Sequence, residues 1–351
     1  MMHLQQAGNG HEGRGNRTMV TGSMLDVPAA GSTAAFAPGF GQRVLLTVDT
    51  EEEFDWKGPF RRDGYGLDHV AAIPRFQSFC EGLGAHPVYL VDWPIVNDPA
   101  AVAIIGDAVR RGAAEVGVQL HPWVNPPFKE EVCTRNSFAG NLPRDLEAAK
   151  FMALRDAIEA AFGGAPLIYR AGRYGLGAHT AELLMAAGIR IDTSVRTLFD
   201  YSADGGPDYS HHPLTPYWVD DTRRLLELPV TSAYRGPLAR VGPLLHRAQR
   251  HIPTLFAGFS RLNLLERIAL TPEGVSAEEA LRGIDVVLNR GLPVLVLSFH
   301  SPTLAPGHTP YAATEAEVEA LYQWFATIYA DFARRGVRST TVSEIIAATG
   351  G

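Results

Sequence analysis

RVLLTVDTE, residues 43–51, is a near-continuous apolar run that carries two acids at its end, and the rest of the chain repeats this pattern. A strand this apolar is typical of a parallel sheet that is buried on both faces. Further runs of the same kind lie at residues 86–92, 115–123, 166–172, 190–195, 225–231, 292–300 and 338–345. Segments with apolar residues at helical spacing, such as 145–162 and 313–333, lie between them. Seven or eight strands that alternate with helices predict an α/β fold closed into a (β/α) barrel.

The length and composition fit one such domain with an extension. The chain has 351 residues, of which 46% are hydrophobic and 20% charged, so it can bury a large core. A barrel of about 250 residues with insertions accounts for this length without a second domain. Residues 1–42 hold eight glycines and show no helical or strand period. We therefore expect residues 1–42 to be a disordered extension outside the core and residues 43–351 to form the barrel.

One insertion differs in charge from the rest of the chain. Residues 235–270 contain six arginines and a single acid, interleaved with leucine, isoleucine and phenylalanine. Two interpretations are open. The segment is either a helical flap whose arginines are solvated, or a surface for peripheral contact with an anionic glycan or an anionic membrane.

Charge, hydropathy and cysteine usage exclude several classes of protein. The 31 basic and 38 acidic residues give a net charge of −7 without a basic tract, which argues against nucleic-acid binding. No apolar run approaches the ~20 residues of a transmembrane helix, and the N-terminus lacks the pattern of a signal peptide. Cys80 and Cys133 belong to no Cys-x-x-Cys motif, which suits a reducing compartment. We expect a cytoplasmic globular protein.

Polar side chains follow several of the predicted strands. In a parallel barrel, the active-site groups come from the carboxyl ends of the strands. Side chains two apart on a strand share a face, which pairs Asp49 with Glu51, Gln119 with His121 and Ser298 with His300. Carboxylates and imidazoles that converge in this way can hold a divalent metal and transfer protons. Glu52 and Glu53, which come next, have the pattern of acids in a solvated loop.

These segments resemble the polysaccharide deacetylase family, which shares the NodB homology domain, and in particular a divergent subgroup of bacterial exopolysaccharide-associated proteins. The resemblance covers most of residues 43–345. Its motifs are VDTE at 48–51, QLHPW at 119–123, RAGRYG at 170–175 and SFHS at 298–301. Members of the family fold as deformed (β/α) barrels, so the resemblance implies a deformed barrel of seven or eight strands.

The resemblance also implies roles for single residues. The family's first motif usually has two adjacent aspartates, a catalytic base followed by a metal ligand. Asp49 matches the base, but Thr50 stands at the ligand position, and Glu51 is the best substitute. The second motif usually has two histidine ligands four residues apart. His121 matches the first, and Asn125 stands at the second. Gln119, on the same strand face as His121, is the alternative to Asn125 as a neutral third metal contact.

Further positions match in the same way. Arg170 matches the arginine that orients the catalytic base, and His300 matches the histidine that acts as general acid. A divalent metal, with zinc as the expected ion, is the implied cofactor. The predicted substrate-binding residues are Asp92, Gln119, Trp123, Arg173, Tyr174 and Asp192. Aromatic residues on or near the end loops are Trp56, Trp93, Trp123, Tyr174 and Trp218, and we expect one or two of the tryptophans to line a sugar-binding groove.

The implied reaction is hydrolysis of an acetyl group, most often N-linked, on a sugar polymer or its precursor. An acetylated glycan is then the partner, and a cytoplasmic location would favour a lipid-linked or nucleotide-linked precursor. Two alternatives remain. Thr50 and Asn125 at family ligand positions fit a pseudoenzyme that binds glycan or a partner protein without turnover. A glycoside hydrolase would need two acids across a bond, and Asp92 could face Asp49 and Glu51 in that role.

Overall fold

The structure, a computed structural model, describes residues 23–242, residue 245 and residues 264–350. Its strands are β1 (Arg43–Thr50), β2 (Pro87–Val91), β3 (Glu115–Leu120), β4 (Ile168–Ala171), β5 (Ile191–Asp192), β6 (Tyr217–Trp218), β7 (Leu226–Glu227), β8 (Ser232–Arg235), β9 (Glu266–Ala269), β10 (Val294–His300) and β11 (Arg338–Ser339). Its α-helices are α1 (Ile73–Gly82), α2 (Trp93–Val96), α3 (Pro99–Arg110), α4 (Arg144–Phe162), α5 (Thr180–Ala186), α6 (Ala277–Asn289), α7 (Glu315–Arg335) and α8 (Val342–Ala348). Short 3-10 helices span Asp68–Ala72, Arg135–Ser137, Ala139–Asn141, Gly172–Tyr174, Ser202–Asp204, Ala239–Val241 and Ser301–Leu304.

One curled, mostly parallel sheet organises these elements. Its strands lie in the order β10–β1–β2–β3–β4–β5–β7–β6, and β11 pairs with β1 beside this path. All pairs in the path are parallel except β6–β7. The predicted α/β fold, a deformed barrel of seven or eight strands, is therefore confirmed as an eight-stranded half-barrel.

The open side of the half-barrel is crossed by single backbone hydrogen bonds in place of a strand ladder. The amide of Thr231 donates to the carbonyl of Val296 over 3.3 Å, and the amide of Ser298 donates to the carbonyl of Leu270 over 3.2 Å. The segments that follow Thr231 and precede Leu270 are β8 and β9, which pair with each other as an antiparallel hairpin. The deformation of the barrel lies on this side.

The alternation of side chains in β1 explains how the sheet is covered. Val44, Leu46 and Val48 belong to the large apolar cluster that packs against the helices, whereas Leu45 belongs to a smaller cluster inside the curl. The inward positions that continue from Leu45 toward the carboxyl end are polar, at Thr47, Asp49 and Glu51. The apolar interior thus gives way to a polar end.

Residues 23–42 pack on the barrel, contrary to the expectation that they stand outside the core. The amide of Ala34 donates to the carbonyl of Pro216 over 2.9 Å, and the amide of Ala37 donates to the carbonyl of Ala348 over 2.7 Å. Ala34 is buried in the interior cluster, with Phe36 and Phe40 packed against it. The glycines in this stretch suggested disorder but serve turns, since Gly39, for example, has φ +86°. Residues 1–22 lie outside the described residues.

The segment 338–345, predicted as a strand, is helical over half of its length. β11 covers only its first two residues, and α8 begins at Val342. Thr341 and Glu344 form a capping box, in which each side chain accepts from the other's backbone amide, and this fixes the start of the helix. Val342 and Ile345 then close the amino end of the interior cluster, which is why the segment is as apolar as a strand.

The basic insertion at 235–270 lies largely outside the described residues, so the helical flap and its docking surface stay a prediction. Its described ends belong to β8 and β9. Arg267 packs on the protein rather than in solvent, because its guanidinium carbon lies 3.8 Å from the ring centre of Phe199 and its Nη1 donates to the carbonyl of Leu198 over 3.1 Å. Within residues 23–242 and 264–350, no helix has the length and apolarity to cross a bilayer.

Candidate active site

A cavity of about 380 Å³ opens at the carboxyl end of the half-barrel. Its walls include the predicted residues Asp49, Glu51, Gln119, His121, Trp123, Arg170, Arg173, Tyr174 and His300. The strand register brings several of them together, since Asp49 aligns with His300 across β1–β10 and Gln119 with Arg170 across β3–β4. The carboxyl end of a parallel barrel is where such a site is expected.

Asp49 and Arg170 form a buried ion pair at the floor of the cavity. Arg170 Nη1 donates to Asp49 Oδ1 and, over 2.7 Å, to Ser298 Oγ. Its Nη2 donates to Thr47 Oγ1 over 3.0 Å, and its Nε donates to the carbonyl of Thr193 over 3.0 Å. Because every nitrogen of the guanidinium has a partner, Arg170 is fixed and in turn fixes Asp49. The second oxygen of Asp49, Oδ2, lies 3.7 Å from His300 Nε2.

His300 is held by a carboxylate that the sequence did not reveal. Its Nδ1 lies 2.7 Å from Glu273 Oε2, and its backbone amide donates to Glu273 Oε1 over 3.0 Å. Burial alone would lower the pKa of His300, but the carboxylates of Glu273, Glu51 and Asp49 outweigh it and raise the pKa to about 10. His300 is therefore protonated at neutral pH, as a proton donor must be.

Glu51, Gln119 and His121 form a second group of buried polar side chains at the cavity wall. Glu51 Oε2 lies 3.4 Å from His121 Nε2 and accepts from Gln119 Nε2 over 2.9 Å. Burial raises the pKa of Glu51 well above its ordinary value and lowers the pKa of His121 to about 4, so the imidazole is neutral. Glu51 and Gln119 each keep one buried oxygen without a hydrogen-bond partner.

These orphaned oxygens suit a metal ion. Buried polar atoms nearly always have a partner, so unpaired oxygens on Glu51 and Gln119 indicate a place for a cation, because both side chains also contact His121 Nε2, at 3.4 and 3.3 Å. Oxygen and imidazole nitrogen are both ligands that zinc accepts. The side chains of Glu51, Gln119 and His121 thus fit a divalent metal.

The other nitrogen of His121 faces a different cluster. Its Nδ1 lies 2.8 Å from Glu52 Oε2, while Glu52 Oε1 accepts from Trp123 Nε1 over 2.6 Å. Asp92 accepts from the backbone amides of Glu52 and Ile95, over 2.9 and 3.0 Å. Glu52, Asp92 and His121 each bring one ligand atom within 4.8 Å of the others, so they too could hold a metal.

Hydrogen bonding distinguishes these two places. The carboxylate oxygens of Glu52 and Asp92 are already occupied by protein donors, whereas Glu51 keeps a free oxygen. A carboxylate on one nitrogen of a metal-binding histidine is a common support, because it orients the ring and directs the other nitrogen to the ion. Glu52 has this position toward His121.

Glu52 and Glu53 are not solvated loop acids, and that prediction is wrong. Glu52 is 1% exposed. Glu53 Oε1 accepts from the backbone amide of His69 over 2.7 Å and lies 2.9 Å from His69 Nδ1, while His69 Nε2 lies 2.8 Å from Ser301 Oγ. Ser301 is fully buried, so this chain of contacts ties the loop after β1 to the loop after β10.

Three predicted residues do not line the cavity. Asn125 Nδ2 donates to the carbonyls of Pro126 and Lys150, over 2.7 and 2.8 Å, because the turn after β3 packs against α4. Asp92 lies behind Glu52 and accepts at the start of α2. Asp192 accepts from the amide and hydroxyl of Ser194, over 2.9 and 2.8 Å. Asn125 Oδ1 is also buried without a partner, but Asn125 does not line the cavity, so its metal-ligand role stays a prediction.

Aromatic and basic side chains form the outer walls. Of the tryptophans considered, Trp56 and Trp123 line the cavity, whereas Trp93 and Trp218 do not. Arg173 and Tyr174 have left-handed backbones, with φ 54° and 60°, a costly conformation for such residues that is commonly found at functional sites. Residues that the sequence analysis missed are Glu273, Arg196, Tyr201 and Tyr311. They come from loops with no motif or period, so no sequence signal pointed to them.

Comparison with known proteins gives similarity at the level of fold. No protein-family model matches the sequence, and no curated protein matches it. Puue allantoinase aligns over 92% of this chain and 96% of its own, with 14% identity and a TM-score of 0.52. A proposed polysaccharide deacetylase from Mycobacterium smegmatis aligns over 90% and 98%, with 15% identity and a TM-score of 0.48. A CE4 family pseudoenzyme from Bacillus anthracis aligns over 87% and 66%, with 10% identity and a TM-score of 0.42.

Proposed function

We propose that this protein is a metal-dependent hydrolase of the deacetylase type, which removes acetyl groups, chiefly N-linked, from a sugar polymer or its precursor. The observation that carries the proposal is the position of Asp49 between Arg170 and His300. The carboxyl group of Asp49 and the imidazole of His300, whose pKa is raised to about 10, lie 3.7 Å apart in one cavity, where they can act as a base and an acid.

Each residue then has a defined task. Asp49 Oδ2, the oxygen that faces the cavity, takes a proton from the attacking water, and Arg170 orients that oxygen through the ion pair on Oδ1. His300 Nε2 gives its proton to the departing amine, which would otherwise be a poor leaving group. Glu273 keeps the imidazole oriented and charged through its contact with Nδ1.

Glu51, Gln119 and His121 Nε2 would hold the divalent ion, with zinc as the expected metal. When bound, such an ion polarises the acyl oxygen and lowers the pKa of a bound water toward about 7. Gln119 replaces Asn125 in this proposal, because its unpaired oxygen is in the cavity wall. Glu52 supports His121 from the other side of the ring.

The walls suit a saccharide. Trp56 and Tyr174 bring aromatic rings to the cavity, and the volume of about 380 Å³ lies within the usual range for small-ligand sites. A cytoplasmic location, still a prediction, would favour a precursor over a finished polymer.

Mass spectrometry of reaction products tests the proposal against its alternatives. The zinc-loaded protein is incubated with N-acetylated oligosaccharides, and the products are separated by mass. Loss of acetyl groups with intact chains supports the proposal. Shortened chains that keep their acetyl groups would favour a glycoside hydrolase, and binding without any product would favour a pseudoenzyme.

A further inference from the structure

Arg196 is a cavity-lining cation for which the described residues supply no countercharge. Arg196 lies four residues beyond the end of β5, and an isolated parallel β-bridge to Val230 fixes its backbone. Its guanidinium carbon lies 4.0 Å from the ring centre of Phe199 and 5.2 Å from that of Tyr174. Its Nη1 donates to the hydroxyl of Tyr201 over 3.3 Å, and its buried Nε has no partner. In the described part of the chain, no carboxylate forms an ion pair with it.

The other cations in the cavity are all paired. Arg170 pairs with Asp49, Arg173 lies 3.4 Å from Asp204, and His300 lies 2.7 Å from Glu273. Charges withdrawn from water are normally paired or bind an ion, so a half-buried guanidinium with a buried, unpaired Nε needs an explanation.

A second positive charge lies close by. Phe199 is sandwiched between Arg196 and Arg267, whose guanidinium carbons lie 4.0 and 3.8 Å from its ring centre. Within residues 264–350 and the other described ranges, Arg267 also forms no ion pair with a carboxylate. Arg196 in the cavity wall and Arg267 behind Phe199 therefore concentrate positive charge on this side of the cavity, in a protein whose net charge is −7.

We propose that Arg196 binds an anionic oxygen group of the substrate, so that the enzyme acts on an acidic acetylated saccharide. The inference rests on the proposed function and adds the substrate class. Aromatic rings contact the flat faces of the guanidinium, and the Tyr201 hydroxyl occupies one N–H of Nη1. The remaining N–H groups of Nη1 and Nη2 are the free donors. Those groups match the paired oxygens of a carboxylate or a phosphate.

Arg196 is close enough to the chemistry for one saccharide to reach both. Tyr311 interacts electrostatically with Arg196 and with Glu273, the partner of His300. The Tyr311 ring lies 5.7 Å from that of Trp56, which lies 5.0 Å from the His300 ring. A substrate with its acetyl group beside His300 can therefore place a charged group of the same or the next sugar at Arg196.

Two sources of the anion are distinguished by the choice of probe. For a carboxylate, the acidic probe is hyaluronan tetrasaccharide, which carries uronate groups, and its carboxyl-reduced form is the neutral control. For a phosphate, the acidic probe is N-acetylglucosamine 1-phosphate, and N-acetylglucosamine is the neutral control. Calorimetry with the full-length protein gives each Kd. We expect at least one acidic probe to bind ~10–100-fold more tightly than its neutral counterpart.

Variants assign this preference to Arg196. Arg196→Met should remove it while leaving the Kd of the neutral probes nearly unchanged, and Arg196→Lys should restore only part of it, since lysine lacks the planar fork. Arg290→Met, which removes an exposed arginine outside the cavity, is the charge-matched control and should keep the preference. Thermal unfolding curves verify that each variant is folded.

Two results would overturn the inference. One is a wild-type protein that binds neither acidic probe more tightly than its neutral form. The other is an Arg196→Met variant, folded by its melting curve, that keeps the preference. The same titrations in Asp49→Asn, which is not expected to turn over, separate this inference from the proposed function. Charge selectivity in a wild-type protein that releases no acetate would reject the hydrolase alone.

Discussion

At the level of single residues, the two oxygens of Asp49 have different partners, and this difference defines the proposed chemistry. Oδ1 accepts from Arg170, while Oδ2 faces His300 at 3.7 Å. The two histidines of the cavity are also in different states, because burial dominates at His121 and neighbouring carboxylates dominate at His300. The neutral imidazole can bind a metal, and the charged one can donate a proton.

Removal of the carboxylate beside His300 should change the pH dependence of the reaction. Glu273 raises the pKa of His300, and burial opposes it, so Glu273→Gln should lower that pKa from about 10. Because His300 must be protonated to act, the alkaline limb of the profile of kcat/KM should move to lower pH. NMR titration of the imidazole measures the same shift without turnover. The control Glu278→Gln, at an exposed site on α6, should leave the pH profile and the pKa of His300 unchanged. An alkaline limb that stays in place in Glu273→Gln would reject the assignment of His300 as the general acid.

The ion pair at the floor of the cavity should also matter for stability. Arg170→Met leaves Asp49 buried without its cation, so the free energy of unfolding should fall by about 3–5 kcal/mol. Urea unfolding measures the loss. Arg338→Met, at an exposed position of β11, should cost little. The double variant Asp49→Asn/Arg170→Met should recover part of the loss, and a fully additive result would show that the two residues are not coupled.

At the level of elements, the loops of the site are connected to one another and the amino end of the barrel is closed by a helix. Glu53, His69 and Ser301 connect the loop after β1 with the loop after β10, behind His300. At the opposite end, α8 inserts Val342 and Ile345 into the interior cluster. The site thus rests on loops that are fixed by buried polar contacts, above a packed apolar interior.

The closing role of α8 can be measured directly. Ile345 is fully buried, and Ile346 is only partly buried beside it. Ile345→Ala should therefore lower the free energy of unfolding by about 2–5 kcal/mol, through lost burial and the cavity it leaves. The neighbouring change Ile346→Ala removes the same atoms and should cost clearly less. Equal losses at the two positions would contradict the packing described for α8.

At the level of the whole molecule, the barrel extends to residues before β1. Ala34, Phe36 and Phe40 join the interior cluster, and Met24 is buried in the larger one. A protein that begins at residue 43 should therefore melt at a lower temperature than one that begins at residue 23. We expect a difference of at least about 4 °C, since 1 kcal/mol shifts a large domain by about 2–4 °C. Identical melting temperatures would mean that residues 23–42 add nothing to the core.

The sequence predicted the barrel and the strand-end residues because both follow from regular patterns. Alternation of apolar runs with helical segments gives the sheet, and parallel strands bring Asp49, His121, Arg170 and His300 to one end. Partners in irregular loops have no such pattern, so Glu273 and Arg196 were missed.

Two errors and one prediction that was not confirmed, that for Asn125, have local causes. The acidic run after β1 suggested solvation, although Glu52 is buried because His121 and Trp123 supply donors from another strand end. The spacing of Asn125 matched a ligand position, but the turn after β3 directs it to Lys150. The apolar period of α8 resembled that of a strand, because only a few of its residues enter the interior.

The most direct test of the central claim is the rate of acetate release from an N-acetylated oligosaccharide, measured at equal zinc content in three proteins. The wild type and Asp221→Asn, which changes an exposed aspartate outside the cavity, should release acetate at the same rate. Asp49→Asn should be slower by about 10²–10⁴-fold, the contribution typical of a general base. Equal rates in Asp49→Asn and the wild type, or no release by a zinc-loaded wild type from any saccharide offered, would contradict the account.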